Sequence, residues 1–362
     1  MSQSTTEKLD WGLVIATYKR EAILPRCLRL AAQQTVAPKE IIVVDASPDW
    51  EKTHTKIMQE LATKYPAIDW KYVQANRASS AIQRNQGIDL ATADILFLID
   101  DDSLMYPDCA QEVMHIYAHD TAHKIIGIRG TPAHLPPDRQ AQTDEKRKSN
   151  LSDKTKNILR TLRNLVVRLL ERLTNTKENF IPYNFVLKKQ TLPDELKNMA
   201  ACPLPWMPCA YMSVRREVIE KTRFEDILIR YAIFEDFDVC CRASRFGMIL
   251  HALKARIWHT AASHSVVSRF TRTVVMGLNL PVLHRLHSTD IARSKTLITK
   301  LFWRILVNRT IKDILTLYWS LPSTRGFLFA YRHYEKIFSM TPEELRAWYP
   351  QFQQTLFDQN RQ

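Results

Sequence analysis

Short apolar runs alternate with helix-like segments through the first third of the chain. The runs GLVIAT (12–17), EIIVVDAS (40–47) and ILFLID (95–100) are typical of buried strands. Residues 21–34 have the apolar spacing of a helix, and a further helix is predicted from Ser80 to Leu90. Nearly continuous apolar strands need cover on both faces. The alternation therefore predicts an α/β fold, with a mostly parallel sheet covered by helices on both faces.

Polar residues collect where these predicted strands end. Ligands of such sheets bind beyond the carboxyl ends of the strands. The residues at those ends are Thr17, Tyr18, Arg20, Asp45, Asp100, Asp101 and Asp102. No GxGxxG follows the first strand and no GxxxxGK[ST] occurs in the sequence. The motifs that mark a dinucleotide-binding site and a P-loop are therefore both missing. We expect a ligand site at this sheet edge that handles phosphate in another way.

Asp100, Asp101 and Asp102 concentrate negative charge in a chain whose formal net charge is +13. Adjacent carboxylates repel one another, and no basic residue stands beside them in the sequence to neutralise them. Mg²⁺ and Mn²⁺ prefer carboxylate and phosphate oxygens, so Asp100 and Asp102 are candidate ligands of a divalent cation. A solvated acidic turn that caps the helix beginning near Pro107 is the alternative.

A second acidic group, Glu235, Asp236 and Asp238, opens the amphipathic segment FEDFDVCCRASRFG. Acids at a helix start are favoured electrostatically and serve as caps, which is a structural explanation for at least one of them. A carboxylate held near an acceptor hydroxyl can instead act as a general base. His259 ends the next strand-like run, where it could add a nitrogen ligand to the metal or play a structural role.

Cysteine usage and the N-terminus point to a cytoplasmic protein. The six cysteines form no CxxC pair, which predicts neither a zinc site nor a disulfide framework. The N-terminus lacks the basic and apolar regions of a secretory signal, and no run approaches the roughly 20 apolar residues of a membrane span. A sequence pI near 9.5 implies attraction to nucleic acid, the inner membrane face or a phosphorylated substrate.

The later part of the chain has a different composition. We expect a charged, partly helical insertion at about 133–200, in which residues 157–173 form an amphipathic basic helix. That helix either packs its leucines on the core or binds a membrane. From about residue 266 the pattern is helical and basic, so residues 1–265 form the predicted α/β domain and 266–362 a C-terminal helical region.

Seven motifs in order carry a resemblance to a known family. They are IATYKR, IIVVDASPD, NRASSAIQRNQGI, ILFLIDDDSLMYPD, PCAYMSVRREV, FEDFDVCCRASRFG and IWH. Over roughly residues 11–264 the chain resembles the family 2 glycosyltransferases, which have the GT-A fold. The family commonly has proline, asparagine and glycine where this chain has Ala16, Lys19 and Phe234.

The resemblance implies a role for each candidate residue. Thr17, Tyr18, Arg20 and Asp45 would hold the base and ribose of a nucleotide. Asp100 and Asp102 would hold a divalent metal, Mn²⁺ or Mg²⁺, that bridges the diphosphate, and His259 matches a metal-binding histidine of some members. Asp101 would touch the ribose or sugar, and Arg84 would face the nucleotide or its phosphates. Asp236 matches the catalytic base of inverting members, with Glu235 beside it.

The implied reaction moves a sugar from a UDP-, GDP- or dTDP-sugar to a hydroxyl of a saccharide or lipid-linked acceptor. We expect a role in polysaccharide or cell-envelope synthesis, peripheral attachment to the inner face of the plasma membrane, and no nucleic-acid partner. A nucleotidyltransferase would need a Gly-rich, Lys-containing loop after the first strand, and IATYKREAILP has none. A non-catalytic basic protein that binds membrane or nucleic acid remains the other alternative.

Overall fold

The computed structural model describes residues 8–138, 181–186, 190–260 and 267–359. The basic helix predicted at 157–173 lies outside these ranges. The chain divides into two compact units, one of residues 1–138 and 187–264 and the other of residues 139–186 and 265–362. The predicted division, with an insertion at about 133–200 and a boundary at 265, stays a prediction.

The first unit is built on a sheet that has nine strands in the described part of the chain. They are β1 (Trp11–Thr17), β2 (Glu40–Asp45), β3 (Asp69–Gln74), β4 (Ile95–Phe97), β5 (Ser103–Met105), β6 (Ile125–Pro132), β7 (Ala201–Leu204), β8 (Met212–Arg215) and β9 (Met248–His259). Their order is β3-β2-β1-β4-β8-β6-β9-β5, and β7 also pairs with β9.

Parallel pairing joins the first four strands to one another and also joins β6 to β9. β1 pairs in parallel with β2 and β4, and β2 with β3. Beyond β4 the sheet is mixed, because β8 runs antiparallel to β4 and β6, and β5 and β7 run antiparallel to β9. The predicted α/β class is confirmed, and parallel pairing is present in the first half of the sheet and again between β6 and β9.

Six α-helices of the first unit are described, besides short 3₁₀ helices at Asp194–Leu196 and Cys209–Tyr211. They are α1 (Leu24–Ala32), α2 (Trp50–Ile57, continued by a π-helical turn at Met58–Ala62), α3 (Ser80–Leu90), α4 (Cys109–His119), α5 (Arg216–Thr222) and α6 (Glu235–Ala243). Every residue of β2 is buried, and the core packs β1, β2 and β4 side chains against α1, as expected of strands with apolar residues on both faces.

Helix α3 lies unusually close to the sheet. A β-carbon added at Gly87 would be 2.3 Å from Val14 Cγ1 on β1, so only glycine allows this approach. One turn earlier on α3, Gln83 Nε2 donates hydrogen bonds of 2.8 Å to the carbonyl oxygens of Thr17 and Val44. The ends of β1 and β2 are therefore fixed to α3 at the edge where the site residues were predicted.

Residues 267–359 of the second unit are mainly helical, which confirms the predicted C-terminal helices. It contains α7 (Arg269–His287), α8 (Ile291–Leu315), α9 (Pro322–Arg332), α10 (Tyr334–Ser339) and α11 (Pro342–Gln359). Ser268 Oγ caps α7 and Asp290 Oδ1 caps α8, each by accepting a backbone N–H three residues later. No helix among the described residues is long and apolar enough to cross a membrane.

Candidate functional site

The end of β2 carries a fully partnered carboxylate. Asp45 is buried; its Oδ1 accepts the backbone N–H of Ser47 at 2.8 Å, and its Oδ2 accepts the Tyr72 hydroxyl at 2.6 Å. Burial, together with this carboxylate, raises the pKa of Tyr72 well above its usual value, which keeps the hydroxyl a donor. The Trp50 ring stacks on the Tyr72 ring, with 6.4 Å between the two ring centroids. A flat aromatic surface therefore adjoins Asp45.

Two of the departures from the family pattern lie in left-handed backbone. Lys19 has φ 54° and Phe234 has φ 74°, a region that favours asparagine or glycine. These are the positions where the family commonly has those two residues. The Lys19 N–H donates to Ser47 Oγ at 2.7 Å, which ties the strained residue after β1 to the turn after β2.

The acidic turn after β4 meets His259 through the register of β5 and β9. Ser103 pairs with His259 in this antiparallel ladder, which brings the imidazole beside Asp102, the residue before Ser103. His259 Nε2 lies 3.0 Å from Asp102 Oδ1 and 3.7 Å from Asp100 Oδ2. The hydrogen bond that the imidazole donates to the Asp102 carboxylate raises the pKa of His259, and burial opposes this shift.

Asp100, Asp102 and His259 form a group suited to a metal ion. One ligand atom from each lies within 4.8 Å of the others. Two carboxylate oxygens and one imidazole nitrogen are a donor set for a divalent ion, and Asp100 remains a third exposed while Asp102 is buried. The residues predicted as metal ligands are therefore brought together.

Two arginines distant in sequence compensate the acidic turn. The side chain of Arg20 lies 3.9 Å from both Asp101 and Asp102, and Arg84 Nη2 donates to Asp100 Oδ1 at 2.6 Å. Because no basic residue adjoins the turn in the sequence, this pairing of its carboxylates with arginines could not be predicted from neighbouring residues. Asp101 also accepts the Thr17 hydroxyl at 2.7 Å, yet burial raises its pKa to about 7.

The three acids at α6 separate into two roles. Glu235 pairs with Arg84 Nη1 and accepts the Ser80 hydroxyl at 2.9 Å. Burial raises the pKa of Glu235 to about 7 and that of Asp236 to about 6, close to neutral pH, as suits a group that exchanges protons. Asp238 is instead fully buried against Arg242, four residues later, which makes it structural.

The predicted residues thus fall into connected groups. Thr17 and Arg20 contact the acids of the turn after β4. In that turn Asp102 and Asp100 meet at His259, and Arg84 joins Asp100 to Glu235. Asp45 lies with Ser47 and Tyr72 at the end of β2. Tyr18 contacts Lys19, whose Nζ is 5.4 Å from the ring centroid. Sequence reasoning missed Gln83, Tyr72 and Trp50. Gln83 adjoins Arg84 in the predicted helix, whereas nothing in the sequence pattern marked the two aromatic residues.

Comparisons with known proteins agree with these observations. Residues 13–179 match the family model of Glycosyl transferase family 2. Validoxylamine A glucosyltransferase of Streptomyces hygroscopicus subsp. limoneus is 34% identical over 120 residues, which cover 32% of this chain and 25% of that protein. The chain spans about a third or less of the length of the curated relatives it matches.

Two solved structures share the fold. The mannosyltransferase PcManGT from Pyrobaculum calidifontis, in complex with GDP-Man and Mn²⁺, is 12% identical with a TM-score of 0.50, over 91% of this chain and 87% of that one. S. aureus TarS 1-349 in complex with UDP-GlcNAc is 13% identical with a TM-score of 0.50, and the match covers 98% of this chain and 92% of that one. The predicted GT-A fold and the resemblance to family 2 glycosyltransferases are confirmed.

Proposed function

We propose that this chain, whose residues 13–179 match Glycosyl transferase family 2, moves a sugar from a nucleoside-diphosphate donor to an acceptor hydroxyl. The observation that carries the proposal is the Asp100, Asp102 and His259 group, linked through Arg84 to Glu235 at the start of α6. The GDP-Man and UDP-GlcNAc complexes of the two solved structures support this donor class.

Asp100, Asp102 and His259 would hold the divalent ion. The imidazole nitrogen in the donor set favours Mn²⁺ over Mg²⁺, which prefers oxygen ligands, and PcManGT was solved with Mn²⁺. When bound, such an ion supplies Lewis-acid stabilisation of the diphosphate that leaves. Arg84 is 4% exposed and held by two carboxylates, so we assign it the positioning of Asp100 rather than direct contact with phosphate.

The donor nucleotide would lie along the ends of β1 and β2. We assign its recognition to Thr17, Tyr18, Arg20, Asp45 and Asp101. Asp45 already accepts two hydrogen bonds, and each carboxylate oxygen can accept another from a base or ribose. The exposed part of Arg20 adjoins Asp101 and Asp102, where its charge would also attract the diphosphate.

Asp236 would act as the general base, with Glu235 beside it. Its carboxylate takes the proton of the acceptor hydroxyl as that oxygen bonds to the anomeric carbon. The bond from this carbon to the diphosphate oxygen breaks, and the nucleoside diphosphate leaves with the electron pair. A single displacement of this kind inverts the anomeric configuration.

The acceptor would be a saccharide or a lipid-linked saccharide, as in polysaccharide or cell-envelope synthesis. The net charge of +13 supports attraction to an acceptor that carries phosphate, or to an anionic membrane surface. A purely charge-driven binding protein does not account for Asp101, Asp102 and Glu235, which are buried acids. We therefore rank glycosyl transfer above it.

Isothermal titration with UDP and GDP, each with and without Mn²⁺, tests the proposal. We expect metal-dependent binding of one nucleotide, lost in Asp102→Ala and kept in Asp194→Ala, which changes a surface aspartate that is 88% exposed. The matching nucleotide sugars are then tested for transfer to saccharide and lipid-linked acceptors. Folded protein that binds neither nucleotide, and turns over no nucleotide sugar, would contradict the proposal.

A further inference from the structure

A groove on the first unit contains none of the residues assigned to the proposed transferase site. Its volume is about 350 Å³, and its walls are α4, the segment 195–200 and the strand β9. Three side chains of α4 line it, Glu112, His115 and His119, and Glu195 lines it from the opposite wall. We call it the histidine groove.

Helix spacing places two imidazoles on the face of α4 that lines the histidine groove. His115 and His119 are four residues apart, which makes them neighbours on the helix surface, and their ring centroids are 4.4 Å apart. Zinc–nitrogen bonds are about 2.0–2.1 Å long, so rings at this separation can each present one nitrogen to a shared ion. Glu112, three residues before His115, adds a carboxylate to the same face.

The backbone of α4 fixes which nitrogen of His119 can bind an ion. His119 Nδ1 lies 2.8 Å from the backbone carbonyl oxygen of His115. Because a carbonyl oxygen can only accept, Nδ1 carries the hydrogen and donates it, and Nε2 of the neutral ring keeps its lone pair. Histidines that bind metals in proteins commonly have this arrangement, in which the second ring nitrogen donates to a carbonyl or a carboxylate.

The opposite wall of the histidine groove is attached to the core at both ends. Leu196 is fully buried, and the Leu253 N–H of β9 donates to the Ala200 carbonyl oxygen at 2.8 Å. Glu195 precedes the buried leucine, so its carboxylate is held on the groove side of this wall. Two carboxylates and one ammonium among the lining residues give a net charge of −1 while the imidazoles are neutral. The groove therefore attracts a cation, although the whole chain carries +13.

We propose that the histidine groove binds a divalent transition-metal ion such as Zn²⁺, with His115 and His119 as its nitrogen ligands. Imidazole nitrogen suits Zn²⁺, whereas Mg²⁺ and Ca²⁺ prefer oxygen ligands. Water completes the coordination, because the groove is larger than one ion needs, and the two carboxylates offset the charge of the ion. Since Glu195 belongs to the opposite wall, the ion also draws that wall toward α4. This inference goes beyond glycosyl transfer, and its failure would leave the proposed transferase site intact.

The test is calorimetric titration of the full chain with Zn²⁺. The parent protein is Asp102→Ala, which removes one ligand of the proposed Mn²⁺ group so that this group does not dominate the titration. We expect Zn²⁺ binding to weaken by about tenfold or more when either His115→Gln or His119→Gln is added to the parent. His134→Gln, which changes an exposed histidine outside the groove, should bind Zn²⁺ as the parent does. Thermal unfolding in the presence of EDTA checks that each variant folds.

Two further measurements test the carboxylates and the choice of metal. Glu112→Gln/Glu195→Gln should weaken Zn²⁺ binding, whereas Glu51→Gln/Glu60→Gln, which removes two exposed glutamates outside the groove, should leave it unchanged. Zn²⁺ should also raise the thermal midpoint of the parent and not that of the variants at the two groove histidines. Equal losses in the two glutamate pairs, Zn²⁺ affinity that does not depend on the histidines, or Mg²⁺ binding as tight as that of Zn²⁺ would overturn the proposal.

Discussion

The Arg84 guanidinium binds two carboxylates at once. Its Nη2 donates a hydrogen bond of 2.6 Å to Asp100 Oδ1, and its Nη1 donates to Glu235 Oε1. One buried side chain on α3 thus links a proposed metal ligand with Glu235, the neighbour of the proposed base Asp236. The planar fork of arginine suits such a bridge, because two carboxylates can be bound in fixed directions at once.

Arg84→Lys should therefore weaken Mn²⁺ binding by about tenfold or more, since a single ammonium cannot hold both carboxylates in place. Titration of the metal in the absence of nucleotide measures this directly. Arg215→Lys is the matched control, because Arg215 is also a buried arginine and pairs with Asp120 at 3.1 Å, away from the metal group. Equal loss of Mn²⁺ affinity in both variants would show a general loss of folding instead.

Asp236→Asn should lower kcat by about 10²–10⁴-fold and leave nucleotide affinity within a few-fold of wild type. The substitution preserves shape but removes the proton acceptor. Turnover is measured by release of nucleoside diphosphate, and affinity by calorimetry on the same preparation. Turnover within a few-fold of wild type would count decisively against Asp236 as the base.

The pH profile gives an independent check on Asp236. Burial raises its pKa to about 6, so its carboxylate is ionised above that pH and protonated below it. Activity limited by this base should therefore fall as pH decreases through about 6, rather than near the ordinary value of 3.8. The residual activity of Asp236→Asn should not decrease as pH falls through about 6. If the variant has the same pH profile as the wild type, the decrease belongs to another group.

His284 should make the second unit less stable in acid. It is fully buried, and desolvation lowers its pKa from 6.5 to about 3. The unfolded chain binds a proton below 6.5 and the folded chain does not, so stability present above 6.5 is lost as pH falls toward about 3. The slope is at most about 1.4 kcal/mol per pH unit.

Denaturant unfolding at several pH values, compared between wild type and His284→Gln, measures this contribution. The variant cannot titrate at this position, so its free energy of unfolding should fall less steeply in acid. His115→Gln, which changes an exposed histidine, should follow the wild type. Parallel pH dependence in all three proteins would exclude His284 as the source.

Lys19→Asn should raise the free energy of unfolding by about 1 kcal/mol, because asparagine tolerates the φ of 54° better than lysine. The Lys19 N–H that donates to Ser47 is retained. Lys52→Asn, in the right-handed backbone of α2, should instead be slightly destabilising. If the free energy of unfolding changes equally in both variants, the left-handed backbone of Lys19 contributes little strain.

The sequence predicted those parts of the molecule that depend on local pattern. Helix α3 spans 80–90 as predicted, and the polar residues after β1, β2 and β4 lie near one another because neighbouring parallel strands end at the same edge. The association of Asp100 and Asp102 also followed from their spacing, since both precede the same short strand.

Contacts that depend on distant pairing could not be predicted in the same way. His259 reaches Asp102 only through the register of β5 and β9, and Arg84 reaches Glu235 only when α3 and α6 meet. Neither pairing leaves a periodic pattern in the chain, so these two contacts could not be predicted, although His259 and Glu235 were each recognised as candidate residues. The left-handed backbone at Lys19 and Phe234 was hidden because neither residue type favours it.

The close approach of α3 to β1 also restricts how this chain can change over evolutionary time. Gly87 has no side chain to contribute to binding or catalysis, yet any β-carbon there would push α3 away from Val14. Gln83 and Arg84, one turn away, would move with the helix and release the strand ends and Asp100. Natural variation at Gly87 should therefore be as narrow as at Asp100, although its role is purely steric.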